Sequence, residues 1–188
     1  MGAFTQHLNN QFSLPIPNNL CQTFSMKHLT ATLCLTIAVL LGSAGMSASA
    51  DFQKGYAAYK SGDYATALRE WKPLAKQGDD FAQNNLGEKY REGRGVPQDY
   101  KTAVKWYRLA AEQGNAVAQR NLGLSYVLGQ AVLKDYVYAH MWLNIAASSE
   151  DKNAVKGRDM VAGMMTPSQL EKAQDLAREC VRKKYKGC

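Results

Sequence analysis

Residues 82–117 read AQNNLGEKYREGRGVPQDYKTAVKWYRLAAEQGNAV, and residues 118–149 read AQRNLGLSYVLGQAVLKDYVYAHMWLNIAASS. At a shift of 36 residues Ala82 falls on Ala118, Leu86-Gly87 on Leu122-Gly123, Tyr90 on Tyr126 and Gly93 on Gly129. The match continues with Asp99-Tyr100 on Asp135-Tyr136, Ala103 on Ala139, Trp106 on Trp142 and Ala110-Ala111 on Ala146-Ala147. Backwards, Asp63-Tyr64, Ala67, Ala75 and Gly78 fall on Asp99-Tyr100, Ala103, Ala111 and Gly114, and Trp71 falls on Tyr107. Tyr59 pairs with Tyr90 at a spacing of 31, which shortens the loop of the first unit by about five residues. A fixed period of this length marks a stack of supersecondary units.

Each unit reads as two helices. Ala82, Leu86 and Tyr90 recur every fourth residue and make one helix face. Gly93 and Gly95 stop that helix, Val96-Pro97-Gln98 re-aims the chain, and Asp99 is the N-cap expected for the next helix. Ala103, Trp106, Tyr107, Ala110 and Ala111 then form a broad apolar face ending at Gly114, with Trp106 as the expected packing wedge. One such pair cannot bury its own apolar face, so neighbouring pairs must stack.

The pattern Ala82-x3-Leu86-Gly87-x2-Tyr90-x2-Gly93-x-Gly95-Val96, continued by Asp99, Ala103, Trp106-Tyr107, Ala110-Ala111 and Gly114, resembles the Sel-1-like repeat family. That family is related to the tetratricopeptide repeats. The likeness is strongest over 82–117, continues over 118–149 and is weaker over 52–81. The third loop departs from it, with Ala131 in place of the second glycine and Leu133 in place of the proline. The resemblance implies an all-α, right-handed α-solenoid of about three αα-hairpin repeats, spanning 51–150. It further implies a non-catalytic adaptor that holds a protein or peptide segment, with no cofactor.

After the repeats, residues 151–188 read as C-terminal capping helices and a basic tail. Val161, Met164 and Met165 stand at helical spacing, and Thr166-Pro167-Ser168-Gln169 reads as N-cap, first-turn proline and capping box. Ahead of the repeats, Met26-Lys27-His28, the apolar run Leu29–Leu41 and Ala48-Ser49-Ala50 read as a signal peptide cleaved after Ala50. Residues 1–25 lie upstream of a complete signal, which points to translation from Met26. The expected location is the periplasm or the exterior.

The chain carries 23 basic and 16 acidic residues, net +7. Residues 178–188 hold five of the cations against Glu179, a local +4, so the body is close to balanced and does not have a nucleic-acid-binding profile. The basic end suits either an anionic surface or a solvated helix terminus facing its own dipole. Cys21 and Cys34 precede the expected cleavage point, which leaves Cys180 and Cys188. In an oxidising compartment these two can bridge; the alternative is a buried thiol at 180 and a free one at 188.

Catalytic signals are sparse. His140 is the one histidine after the leader and takes the place of Val104 in the preceding unit, and no spacing suits a metal. Ser149-Glu150-Asp151-Lys152 matches a Ser-x-x-Lys pattern without its companion motifs, which leaves a β-lactamase-like or cell-wall hydrolase as a lesser alternative. A series of tryptophans, Trp71, Trp106 and Trp142, allows a glycan-binding platform, although core packing explains it better. In tetratricopeptide-like stacks the first helix of each pair lines the inner curve. The candidate contacts to a partner in the envelope are therefore Asn84, Glu88, Arg91, Arg120, Leu124 and Val127, with Gln53 and Lys60 in the first unit.

Overall fold

The computed structural model describes residues 52–188; the expected leader and the segment before it lie outside the described residues. Eight helices and no strand make up the described part. Helix α1 covers residues 52–60, followed by α2 (Tyr64–Lys76), α3 (Asp80–Glu92), α4 (Tyr100–Ala111), α5 (Ala116–Leu128), α6 (Tyr136–Ala147), α7 (Lys152–Ala162) and α8 (Pro167–Arg182). Odd-numbered helices begin the pairs; α1 meets α2 where Gly55 faces Trp71, and from α2 each helix packs on the next through α7, giving an α-solenoid.

The period is written into the helix starts. Asp63, Asp99 and Asp135 cap α2, α4 and α6, and Asp79, Asn115 and Asp151 cap α3, α5 and α7; each series steps by 36 residues. Every one accepts a backbone N–H of the first turn, satisfying donors that a helix start leaves free. The capping box of Thr166 and Gln169 opens α8. The loops close alike as well, because the Asp99 N–H donates to the Tyr90 carbonyl at 2.9 Å and the Asp135 N–H to that of Tyr126 at 3.2 Å. Despite its two departures, the third loop keeps its shape: Ala131 adopts φ 57° where Gly95 has φ 75°.

Within each pair a glycine on the first helix receives a large side chain from the second. A Cβ on Gly55 would meet the Trp71 indole at 2.6 Å, one on Gly87 the Tyr107 ring at 2.6 Å, and one on Gly123 the Leu143 Cγ at 2.8 Å. Trp71, Tyr107 and Leu143 are all fully buried and follow one another at 36 residues. Two expectations change here. The fully buried wedge of the second repeat is Tyr107, because it alone seats in the Gly87 notch; Trp106 is half-buried against the cluster of Ala67, Leu68, Trp71 and Leu86. The first loop is four residues shorter rather than five, since Gly55 to Trp71 spans 16 positions and Gly87 to Tyr107 spans 20. Tyr59 therefore does not occupy the place of Tyr90.

The end of the stack is built differently. α8 lies across α6, placing Ala177 and Cys180 on the cluster of Tyr107, Leu122 and Trp142. Cys180 and Cys188 are joined by a disulfide with their Cα atoms 5.6 Å apart. The bridge folds the last residues back so that Tyr185 reaches Gly114, in the turn between α4 and α5.

Candidate functional site

Side-chain amides join each of α3 and α5 to the helix just before it, and α5 to α3. Gln83 Nε2 donates to the Ala75 carbonyl at 3.0 Å, and 36 residues later Gln119 Nε2 donates to that of Ala111 at 3.2 Å. Each glutamine adds a second donor to a carbonyl in the last turn of the preceding helix, beside the N–H of Gly78 or Gly114 in the turn that follows. Asn115 Nδ2 donates to Asp80 at 2.9 Å, and Asn121 Nδ2 to Asn84 Oδ1 at 3.1 Å.

Beside this seam a groove of about 390 Å³ spans α3, α5 and the start of α7. Glu88 and Arg91 come from α3, Arg120, Asn121, Leu124, Ser125 and Leu128 from α5, and Gln130 and Asn153 close its ends. Leu128 is 64% exposed and Leu124 39%, so the α5 wall offers two apolar side chains to solvent. Both arginines are already engaged: Arg91 pairs with Glu92 at 2.8 Å and Arg120 with Asp151 at 2.7 Å. Burial alone would raise the Asp151 carboxyl, but the N–H groups of Ala154 and Asn153 and the Arg120 guanidinium hold it below its ordinary range. The groove is thus closely charge-balanced, with amide and aliphatic surface between the pairs.

Glu88, Arg91, Arg120 and Leu124 are the sequence-derived candidates that meet in this groove. Asn84 and Val127 do not. Asn84 is buried, with its carbonyl oxygen occupied by Asn121, because stacked first helices press that position into the seam. Val127 packs on Ala139, Leu143 and Val161, because α7 covers that side of α5. Gln53 and Lys60 are exposed on α1 and are not among the groove's lining residues. Asn121, Leu128 and Gln130 were legible as neighbours of the candidates on the same helix and loop. Asn153 was not, since only the stacking of α7 brings it there.

Other chemistry-bearing residues sit elsewhere. His140 is buried and its Nδ1 has no hydrogen-bond partner; burial holds the imidazole below its ordinary pKa, so it is neutral. Ser149 and Lys152 are exposed around the start of α7, outside this groove. Among the described residues no cluster of three or more His, Cys, Asp or Glu side chains could hold a metal. Trp71 and Trp142 are 1% exposed, so the three indoles make no common platform for a sugar. Of the C-terminal cations, Arg178 pairs with Asp175, and Arg182 and Lys183 share Glu179, which reduces the field that end presents.

Lys89 escaped the sequence reading. It is fully buried, its Nζ lying 4.2 Å from the Tyr59 ring centre, 5.5 Å from that of Tyr64 and 3.1 Å from Glu92 Oε2. It faces Tyr59 of α1 and Tyr64 of α2, so it gives a signal only once the first pair is stacked on α3.

Known proteins agree with this geometry. The Sel1 repeat model matches residues 80–115 and 116–151, each running from the first residue after one of the 36-spaced caps to the next. A protective antigen present in uropathogenic Escherichia coli strains, displaying an SLR fold, has a crystal structure that superposes with a TM-score of 0.69. It is 29% identical over 73% of this chain and 31% of its own. A Sel1 repeat protein from Oxalobacter formigenes superposes with a TM-score of 0.58 at 31% identity, over 68% of this chain and 55% of its own. The chain thus spans about a third of the one and about half of the other. No curated protein matches it. The second and third helix pairs are thus each a Sel1 repeat, and the chain's structural neighbours are Sel1 and SLR repeat proteins.

Proposed function

We propose that this protein is a non-catalytic, exported adaptor that holds a segment of a protein or peptide partner in the groove of α3, α5 and α7. Sel1 repeats generally serve protein–protein interaction, and the observation that carries the reading here is the lining of this groove. Leu124 and Leu128 offer apolar anchors, while Asn121, Gln130 and Asn153 offer amide donors and acceptors suited to an extended backbone. The paired arginines favour a segment of low charge, because an acidic one would have to compete with Glu92 and Asp151.

Photo-crosslinking from position 124 in envelope extract tests this. A discrete adduct is expected, and Leu128→Glu should abolish it with the helical spectrum unchanged. Labelling that is diffuse, or that survives Leu128→Glu, refutes the groove. Export is supported by the Lys27-to-Ala50 pattern and by the Cys180–Cys188 bridge, which an oxidising compartment maintains. Protein recovered from the envelope should begin at Asp51; cytosolic protein retaining residues 26–50 would refute export.

A further inference from the structure

The loops after α3 and α5 each lie against an earlier helix, α2 and α4, and the two packings differ. After α3, Gly95 is so close that a Cβ there would sit 2.8 Å from Tyr64 Cβ and 2.9 Å from Leu68 Cδ1. Thirty-six residues on, Ala131 stands in the place of Gly95 and Val104 in the place of Leu68. The loop gains a methyl group, and the helix beneath loses a methylene. Between them lies a groove of about 530 Å³. Its floor is Val104 and Val132, with the more exposed Leu109 and Ala131 beside them.

Its rim is basic. Lys101, Lys105 and Arg108 follow one another along α4 at helical spacing, against the single carboxylate of Glu112. Arg108 donates to Tyr126 Oη at 3.2 Å, which steadies its guanidinium at one wall. Among the described residues none of the three cations has a carboxylate within ion-pairing distance, in contrast to Arg91 and Arg120. Apolar floor and unpaired cations together select an occupant that is both acidic and apolar. Residues 1–50 contain no acid, and a second copy of the chain would bring a net charge of +7 to a basic rim.

We propose that this groove is a second docking site, for an acidic peptide segment of a partner protein. One apolar side chain of the segment rests on Val104 and Val132, and its carboxylates meet Lys101, Lys105 and Arg108. The proposal uses no residue of the α3–α5–α7 groove and stands or falls separately from it.

Fluorescence anisotropy tests it, with the full chain and a labelled peptide of alternating aspartate and leucine. Saturable binding is expected, weakening about tenfold between about 50 mM and about 300 mM salt as the screening length shortens. Lys101→Glu with Lys105→Glu should weaken it at least about tenfold, since both charges reverse at the rim. Val104→Leu restores the residue of the preceding repeat and fills the floor, and should weaken it by about fivefold with every cation in place. Arg91→Ala with Arg120→Ala should leave it unchanged, and thermal melts establish that each variant is folded. Absence of saturation, or full binding by Val104→Leu, overturns the proposal. So does equal binding of the peptide with asparagine for aspartate, or sedimentation with phosphatidylglycerol vesicles in place of peptide binding.

Discussion

Ala131 and Glu150 occupy left-handed backbone, with φ 57° and 61°, at positions where the preceding repeat has Gly95 and Gly114. A Cβ in that region crowds the following carbonyl, whereas glycine enters it freely. Ala131→Gly and Glu150→Gly should each raise stability by about 1 kcal/mol, and nearly additively, because the two sites share no contact. Urea unfolding measures this; a loss on either substitution would show that the local backbone is relaxed. His140 makes the opposite kind of contribution. Burial keeps its folded pKa below the ordinary 6.5, so the unfolded chain binds the proton more readily. The contribution of this one group is therefore full above about pH 6.5 and is lost as pH drops through that value toward the folded pKa. His140→Val, the residue of the preceding unit, should flatten the melting temperature between about pH 5 and about pH 7. An unaltered slope would assign the pH dependence to carboxylates.

Paired helices meet through a glycine notch, and the notch sets how closely they approach. Gly87→Ala drives a Cβ to within 2.6 Å of the Tyr107 ring, so α3 and α4 must separate or the ring must leave its rotamer. A loss of about 1–3 kcal/mol is expected by chemical denaturation. Trp106→Ala should have a smaller effect than Tyr107→Ala, because the indole is half-buried and the phenol ring fully so. The reverse order would return the wedge to Trp106. The pairing of helices was legible because Ala, Leu and Gly recur on one face at constant spacing. Which aromatic fills the notch was not, since Trp106 and Tyr107 are adjacent and the period admits both. The candidate site was legible to the same depth. Counting from Leu86 and Leu122 found Glu88, Arg91, Arg120 and Leu124, which meet in one groove. It could not show that Asn84 is consumed by Asn121 or that α7 covers Val127, because both depend on how successive pairs stack.

Across the whole molecule, the C-terminal residues are bound back onto the stack by Cys180–Cys188 and by Tyr185 against Gly114. Closing a loop of this size stabilises by roughly 2–3 kcal/mol on a chain-entropy account. Reduction should lower the melting temperature by several degrees, and Cys180→Ala with Cys188→Ala should remove the response to reductant. A melt indifferent to reductant would show that α8 is held by its face alone. The caps at Asp79, Asn115 and Asp151 bear on descent as well as on folding. Each junction presents the same chemistry, so a gene segment encoding 36 residues can be duplicated between two of them, and each copy carries its own Gln83 or Gln119 to reach the helix behind. A duplication of any other length would put the wrong side chain at that carbonyl. The series stops at α7, where Val155 holds the glutamine's place and offers no donor. A chain lengthened by 36 residues between these caps should therefore keep every junction intact and still end on the same two helices.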